Sequence, residues 1–493
     1  MANTIKADIL LKNGIIVTMN PNREVIKNGY LVITGDKIYK LGEMKTLNRS
    51  DYEVDQVIDC KNKVIMPGLI DAHGHGGHSL LKTIASDTPS IWEKILTEVY
   101  FHYTTEDFWL REGELSALER LKFGTTTGLS VLGSQPRSDD SFCAEMHAEA
   151  YGNVGIREII AVGPANPPWP RKFSRWIDGK RVEKEVNFAV VMNNLEKTIQ
   201  KVNGSFSNRI RVYPTPYLIV PSLDSKGPTP PDISELTEFD KKQSKAIRDL
   251  AAKYSTRIHS DAFGGMVKLA AEDPNGLLGP DVSLQHCKGL SLEEIKILAD
   301  TDTRVSHAPG AGSSVRCPVT ELVNAGVKVA ISTDGTSPKT TFDLFQAIRK
   351  ERLIQQRYFN DSFYMPAGKL LEMITIDAAS VLGMDEEIGS LEKGKKADVI
   401  TIDMNQPHLK PLFMVIHRLV NEVSGSDVDT VIVDGNILMK ERKVLSVKED
   451  DVIKRAQTEA EKTIKRANLE KHMQEPEGFW GRARMNPAKR LKD

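Results

Sequence analysis

The stretch VIMPGLIDAHGH, residues 64–75, decides the fold prediction, because an apolar run ends there in two histidines. Residues 64–71 form a predicted buried strand, and His73 and His75 follow at its end. Side chains two apart in a strand face the same side, so both imidazoles are expected to point together. Such a pair makes half of a metal site, although two solvated histidines of a turn would give the same local pattern.

Short apolar runs alternate with longer helical patterns downstream of these histidines. The predicted strands cover residues 64–71, 125–131, 156–162, 210–213, 257–260, 282–286, 304–307 and 327–332. The predicted helices between them include residues 108–122, 241–254, 292–300 and 341–358. This alternation indicates βα units and a parallel sheet. Eight units predict an α/β protein with a closed (β/α)8 TIM barrel, whose active site lies at the carboxyl ends of the strands.

The sequence pattern at both ends of the chain differs from that of the middle. It predicts short strands separated by tight turns, such as those at Asn13-Gly14 and Gly35-Asp36. We predict one small β-sandwich domain built from residues 1–64 and 386–445, beside a barrel of residues 65–385. Residues 448–475 form a predicted charged helix, and a basic tail follows over residues 481–493. The segment 446–493 is therefore expected to be a helix with a solvated tail or an oligomer contact.

The composition narrows the classes of function. The 493 residues carry a formal net charge of -1, which gives no reason to expect a nucleic acid or a charged membrane as a partner. No segment approaches the apolar length of a membrane span, and the first twenty residues lack the apolar core of a signal peptide. The four cysteines form no CxxC pair. We therefore expect a cytoplasmic protein, with a small-molecule substrate and a homo-oligomeric state.

Polar groups suited to metal binding and proton transfer stand at the ends of four later predicted strands. His259, His286, His307 and Asp334 end strands five, six, seven and eight of the barrel. Five of the 11 histidines of the chain thus fall at predicted strand ends, at one side of one barrel. Coincidence becomes improbable, and a metal-centred active site is predicted there.

Several motifs, in the order in which they occur, resemble the amidohydrolase superfamily. They are PGLIDAHGH, LKFGTTTG, ISTDG and IGSLEKGKKADVITID followed by VIVDG. Residues 9–445 are similar to this superfamily, above all to its branch of triazine hydrolases, guanine deaminases and S-adenosylhomocysteine/methylthioadenosine deaminases. The resemblance implies a metal-bearing barrel beside a small β-sandwich. It also implies metal ligands at His73, His75, His259 and Asp334, with His286 and His307 beside the metal.

The resemblance further implies one divalent metal ion and a hydrolytic mechanism. Binuclear relatives carry a carboxylated lysine at the end of strand four, whereas residues 211–216 here read RVYPTP. Zinc suits a histidine-rich site best, and iron or manganese fits the same ligands. The metal would activate a water molecule, and Asp334 would take its proton and pass it to the leaving amine. His286 or His307 would stabilise the developing charge.

One departure from the family pattern bears on the substrate. Deaminases of this branch have His-x-x-Glu on strand five, but here the sequence is His259-Ser260-Asp261-Ala262. Asp261 is expected to face the opposite side, unless the turn rotates it back. Hydrolysis of an amide, urea or carbamate is therefore the leading hypothesis, and deamination of a purine, pyrimidine or triazine is the alternative. A non-catalytic scaffold is disfavoured, because all four ligand positions are kept.

Further candidates for contact with the substrate are Asp261, Trp92 and Trp169. Trp169 lies in a long proline- and tryptophan-rich segment, residues 163–181, and a second proline-rich segment spans residues 221–231. Each segment is either a rigid surface loop or a lid or subunit contact. His78 falls just beyond the first strand and is a weaker candidate for contact with the metal or the substrate.

Overall fold

A computed structural model describes residues 4–86, 89–223, 235–311, 315–475, 478–481 and 483. Its strands, in chain order, are β1 Ile5–Val17, β2 Val25–Thr34, β3 Lys37–Glu43, β4 Tyr52–Asp59, β5 Lys63–Pro67, β6 Leu69–Gly76, β7 Thr125–Leu132, β8 Arg157–Val162, β9 Arg171–Ile177, β10 Lys180–Val186, β11 Ile210–Pro214, β12 Ile258–Phe263, β13 Val282–Lys288, β14 Arg304–His307, β15 Val329–Ile331, β16 Val399–Asp403, β17 Val428–Val433, β18 Asn436–Lys440 and β19 Lys443–Val444.

Helices alternate with the strands through the middle of the chain. In chain order they are α1 Pro89–His102, α2 Glu106–Lys122, α3 Phe142–Val154, α4 Phe188–Val202, α5 Ser205–Asn208, α6 Glu238–Lys253, α7 Met266–Ala270, α8 Leu292–Asp300, α9 Val319–Asn324, α10 Leu344–Phe359, α11 Ala367–Glu372, α12 Ile376–Val381, α13 Val415–Asn421 and α14 Glu449–Arg466. Capping residues determine where some of these helices begin. Helix α8, for example, begins with a capping box in which Ser291 and Glu294 satisfy each other's backbone N–H groups.

Eight parallel strands hold the centre of this α/β fold, in two sheets of four. One sheet has the order β11-β8-β7-β6 and the other β12-β13-β14-β15. Parallel bridges join both edges, Gly74 with Asp334 at one seam and Leu218 with Asp261 at the other. Every residue of β6, β7 and β8 is buried, as expected for parallel strands that are covered on both faces.

A nine-stranded sheet brings the two ends of the chain together. Its order is β19-β18-β17-β16-β5-β1-β2-β3, with β4 paired to β1. The junction is antiparallel pairing of β5 with β16, strands more than 300 residues apart in sequence. Within the described residues, strands from both ends of the chain therefore belong to one sheet.

The predicted first barrel strand, residues 64–71, is wrong as a single element. The run divides at Gly68 into β5, which joins the nine-stranded sheet, and β6, which starts the parallel sheet. A Cβ on Gly68 would lie 2.1 Å from Thr126 Oγ1, so only glycine lets β7 approach this closely. Both halves are buried and apolar, so the sequence pattern alone gives no sign of the division.

The structure agrees with the predictions for the remaining segments only in part. Residues 163–181 are not only loop, because β9 and the start of β10 form an antiparallel hairpin there. Most of the proline-rich segment 221–231 lies outside the described residues, as does most of the basic tail. The C-terminal helix α14 ends at Arg466 rather than at residue 475. Within the described ranges, no helix combines the length and apolar character needed to cross a membrane.

Candidate metal centre

The ends of the parallel strands bring five of the predicted site residues to one place. His73 and His75 belong to β6, His259 to β12 and His286 to β13, and Asp334 lies three residues beyond β15. The backbone N–H of Asp334 donates to the carbonyl of His73 over 3.1 Å, which fixes the end of β15 against β6. The meeting point follows from the topology, since parallel strands end at the same side of a sheet.

Three short distances join the four expected metal ligands. His73 Nδ1 lies 2.8 Å from His259 Nε2, and His73 Nε2 lies 3.8 Å from Asp334 Oδ1. His75 Nε2 lies 3.2 Å from the same carboxylate oxygen. The four side chains therefore form one continuous cluster, with Asp334 facing the imidazoles of both histidines of β6.

Neighbouring groups orient two of the rings. His75 Nδ1 donates to the carbonyl of Gly133 over 2.6 Å, which leaves its Nε2 lone pair facing Asp334. His259 Nδ1 lies 2.8 Å from Ser283 Oγ. His73 Nε2 is buried and has no hydrogen-bond partner among the described residues. Oriented imidazoles with one buried bare nitrogen are what a metal site requires, so these residues fit a bound cation.

His286 also reaches this cluster. The rings of His286 and His73 and the carboxylate of Asp334 each offer one ligand atom, and these atoms all lie within 4.8 Å of one another. His286 and Cys287 both adopt left-handed backbone angles, with φ of 69° and 47°, where β13 bulges against β12. Such bulges redirect side chains near active sites, and this one leaves Cys287 buried while His286 and Lys288 line the cavity described below.

The electrostatics favour the ligand forms of His73, His259, His286 and Asp334. Burial would also lower the pKa of His75, but the facing carboxylate of Asp334 outweighs burial and raises it. Burial lowers the pKa of His73 to about 4 and holds the pKa values of His259 and His286 well below the ordinary value. Burial alone would raise the pKa of Asp334, but the imidazoles of His73 and His75 that face the carboxylate outweigh it, and the pKa lies well below its usual range. Neutral imidazoles with one carboxylate form a donor set suited to zinc and similar ions.

A buried network of ion pairs holds Thr333, the residue that precedes Asp334. Asp71 accepts hydrogen bonds from the N–H of Thr333 at 3.0 Å and from its Oγ1 at 2.6 Å. The same carboxylate pairs with Arg120 at 3.1 Å, and Arg120 also pairs with Glu158 at 3.2 Å. All three ionic side chains are fully buried. Thr333, the neighbour of Asp334, is thus held to α2 and β8 through two carboxylates and one guanidinium.

A cavity of about 350 Å³ opens beside the cluster, within the size range of small-molecule sites. Its lining includes Trp92, Asp261, Phe263, His286 and Lys288. Asp261 Oδ2 lies 3.7 Å from His286 Nε2, so the expectation that Asp261 faces away is wrong. Strand β12 runs on to Phe263, and Asp261, two residues after His259, therefore points to the same side. Burial raises the pKa of Asp261 to about 7.

His78 lines the same cavity, which its position beyond the first strand made hard to foresee. Its ring stacks on His75 with centroids 4.7 Å apart, and on Tyr100 with centroids 5.7 Å apart. A Cβ on Gly335 would lie 1.9 Å from His78 Nδ1, so a glycine must follow Asp334 for the two segments to meet. His78 thereby packs against the ring of His75 and the backbone of Gly335.

Two residues that the sequence analysis proposed as substrate contacts, His307 and Trp169, lie outside the described cavity lining. His307 Nε2 lies 3.4 Å from Glu351, and the ring is not among the residues that line the described cavity. Trp169 packs against Phe188, with centroids 6.3 Å apart, and is also absent from that lining. Trp92 does line the cavity, and its Nε1 donates to Ser337 Oγ over 3.1 Å. Sequence reasoning missed Phe263 and Lys288, because neither belongs to a motif.

Comparisons with known proteins agree with this geometry. The family model described as the amidohydrolase family matches residues 64–438. The chain is similar to the 5'-deoxyadenosine deaminase of Methanosarcina acetivorans, with 32% identity covering 94% of this chain and 100% of that protein. It is also similar to the 5-methylthioadenosine/S-adenosylhomocysteine deaminase of Caldanaerobacter subterraneus, with 30% identity covering 93% and 99%. The solved structure of an adenosine deaminase from Xanthomonas campestris with bound zinc has a TM-score of 0.79 at 20% identity, covering 94% and 100%, and shares the fold.

Proposed function

Because the chain belongs to the amidohydrolase family and is a metal-dependent hydrolase of non-peptide carbon–nitrogen bonds, we propose that it deaminates adenine nucleosides. The observation that carries this proposal is the carboxylate of Asp261, which lines the cavity beside His286. A carboxylate here supplies the proton-handling group that Ala262 cannot. The names of the two similar deaminases support an adenine nucleoside as the substrate class.

The finer architecture is part of the same proposal. The bridges at both seams support a single closed (β/α)8 barrel formed by the eight parallel strands. The nine-stranded sheet would be the β-sandwich domain, with its first part extending to Pro67 because β5 pairs within it. Support comes from one shared core, to which strands of both chain ends contribute Ile9, Leu31, Ile65, Val399 and Ile432. The barrel would then occupy the residues between, and residues 446–493 would form the C-terminal extension.

His73, His75, His259 and Asp334 would hold one divalent metal ion, with His286 beside it. Zinc is proposed because three imidazole nitrogens and one carboxylate suit it, and a solved neighbour carries zinc. When bound, the ion supplies Lewis acidity, which lowers the pKa of water and polarises the attacked group.

The side chains of the chain itself would handle the protons of the reaction. A water oxygen adds to the ring carbon that carries the amino group, and the carbon–nitrogen bond then breaks to release ammonia. Asp334 would take a proton from the attacking water and later give it to the leaving nitrogen. Asp261 would give a proton to the adjacent ring nitrogen and regain one from the added hydroxyl as the carbonyl forms. His286 would form a hydrogen bond to the attacked group. Trp92 and Phe263 would provide apolar surface for the ring.

Ala262 supports a second candidate function, hydrolysis of an amide, urea or carbamate. These substrates need no proton at a ring nitrogen, so a site without the family's glutamate would suffice. His307 stays a prediction as a residue that contacts substrate, although Glu351 holds its ring. The cytoplasmic location and the homo-oligomeric state also stay predictions. The four buried free thiols support a reducing compartment.

The test is a comparison of substrates with the zinc-loaded enzyme. We expect ammonia release from 5'-deoxyadenosine, with kcat/KM at least about a hundredfold above that for an amide or phenylurea of similar size. Asp334→Asn is the control for release that does not depend on the site. Efficient hydrolysis of the amide or urea, without deamination of any adenine nucleoside, would overturn the proposal in favour of the second candidate.

A further inference from the structure

One lysine of the cavity has no part in the chemistry derived above. Lys288 ends β13, two residues beyond His286, and its side chain lines the cavity. It is 7% exposed, which is unusual for a lysine. The bulge at Cys287 puts Lys288 opposite Phe263, so the lysine stands one step nearer the mouth than His286, which pairs with Ala262.

The ammonium of Lys288 is poorly compensated by the protein. Its hydrogen bond is to the carbonyl of Ala311, at 3.3 Å, and no other partner of its Nζ exists among the described residues. The carboxylates of Asp334 and Asp261 act on it only at longer range, beyond ion-pairing distance. Asp334 is engaged by His73 and His75, and Asp261 faces His286. Burying a cation without a counter-ion is costly unless a bound group completes the site.

Other charged groups of the cavity do not replace the missing partner. Lys339, which is exposed, adds a second positive charge to the same lining. Glu93 also belongs to the lining and has interactions of its own, and no ion pair between it and Lys288 is found among the described residues. The lining thus carries two cations, the buried Lys288 and the exposed Lys339, besides the carboxylates of Asp261, Glu93 and Asp334. The inner part holds the candidate metal ligands, where the reacting ring has to lie.

We propose that Lys288 forms an anion subsite, and that the preferred substrate carries a carboxylate or phosphate on the part that points to the mouth. The inference rests on the proposed function, because the ring must occupy the inner end for a sugar substituent to reach Lys288. A lysine binds such a group as a point charge, so either anion fits. For an adenine nucleoside, the group would be attached at the 5' carbon.

The experiment compares two nearly isosteric nucleosides, adenosine-5'-carboxylic acid and adenosine-5'-carboxamide, which differ in charge. We expect the zinc-loaded enzyme to prefer the carboxylate by about tenfold or more in kcat/KM. Lys288→Met should reduce that ratio to about one, and Lys288→Arg should keep a preference, since the charge remains. Adenosine 5'-monophosphate, assayed in parallel, shows whether phosphate or carboxylate is the better anion.

Lys63→Met is the matched control, because it removes another largely buried lysine, one paired with Asp429 at 2.5 Å in the nine-stranded sheet. The control should leave the ratio unchanged. A wild-type enzyme that treats both nucleosides alike, or a Lys288→Met variant that keeps the preference, would overturn the inference. Failure to release ammonia from any nucleoside, 5'-deoxyadenosine included, would contradict the proposed function instead. Calorimetric binding of the same two nucleosides to wild-type and Lys288→Met enzyme would then decide the inference separately.

Discussion

Asp71→Asn is expected to weaken both the fold and the catalytic site, because Asp71 links Arg120 to Thr333. The carboxylate is fully buried and accepts two hydrogen bonds from Thr333 and one from Arg120. An asparagine keeps one acceptor but turns an NH2 group toward a donor, and the ion pair is lost. Breaking a buried pair costs about 3 to 5 kcal/mol, and the lower end applies here because Arg120 keeps Glu158. We therefore expect the free energy of unfolding to fall by about 3 kcal/mol.

The catalytic effect should exceed what lost stability explains. Thr333 precedes Asp334, so a shift of Thr333 moves the carboxylate relative to His73 and His75. A displacement near 1 Å can cost on the order of a hundredfold in rate, and we expect a loss in kcat/KM of that order. The assay combines urea unfolding, ammonia release from 5'-deoxyadenosine and metal analysis of the folded variant.

Asp398→Asn is the matched control for this prediction. Asp398 is also buried and lies 3.3 Å from the guanidinium of Arg157, but this pair joins the residue before β16 to the first residue of β8, at the opposite end of that strand from the site. Its replacement should destabilise the protein by a similar amount while kcat/KM of the folded enzyme stays within about twofold. If Asp71→Asn loses stability as Asp398→Asn does and still keeps wild-type kcat/KM, the network does not position Asp334, and the reasoning is refuted.

Three further predictions concern the site itself. Asp334→Asn should fold and bind metal but lose several orders of magnitude in kcat, because its amide accepts no proton from water. If the variant keeps more than about a tenth of the wild-type kcat, Asp334 is not part of the mechanism. Asp261→Asn should lower kcat/KM for 5'-deoxyadenosine by about a hundredfold. The control Asp300→Asn, which changes an exposed aspartate, should leave kcat/KM unchanged. Unchanged ring deamination in Asp261→Asn would show that another group protonates the ring nitrogen. Chelation should abolish activity and lower the unfolding midpoint, with zinc restoring both; full activity in metal-free protein would contradict the metal centre.

The sequence alone predicted the α/β class of the fold and the resemblance to the amidohydrolase family. Alternation of apolar strands with helices predicts an α/β protein, and the order of strand-end histidines predicts where the chemistry lies. Such features are local, since a strand end is marked by a few residues and parallel strands end on one side whatever their partners are. His73, His75, His259 and Asp334 meet for that reason. Residue order placed them at strand ends together with His286 and His307, and the resemblance to the family singled out the four as expected ligands.

The direction of Asp261, the burial of Lys288 and the surroundings of His307 depended on the tertiary structure. Asp261 was assigned to the wrong side because strand β12 continues three residues beyond its predicted end, and pairing with β13 sets that length. Lys288 is charged and outside any motif, and only packing against the loop after β14 makes it a buried cation. The sequence thus determined which groups stand at the strand ends, because residue order fixes that. Which of them face the cavity, and which charge there lacks a partner, depends on neighbours far away in sequence, so only the folded chain could decide it.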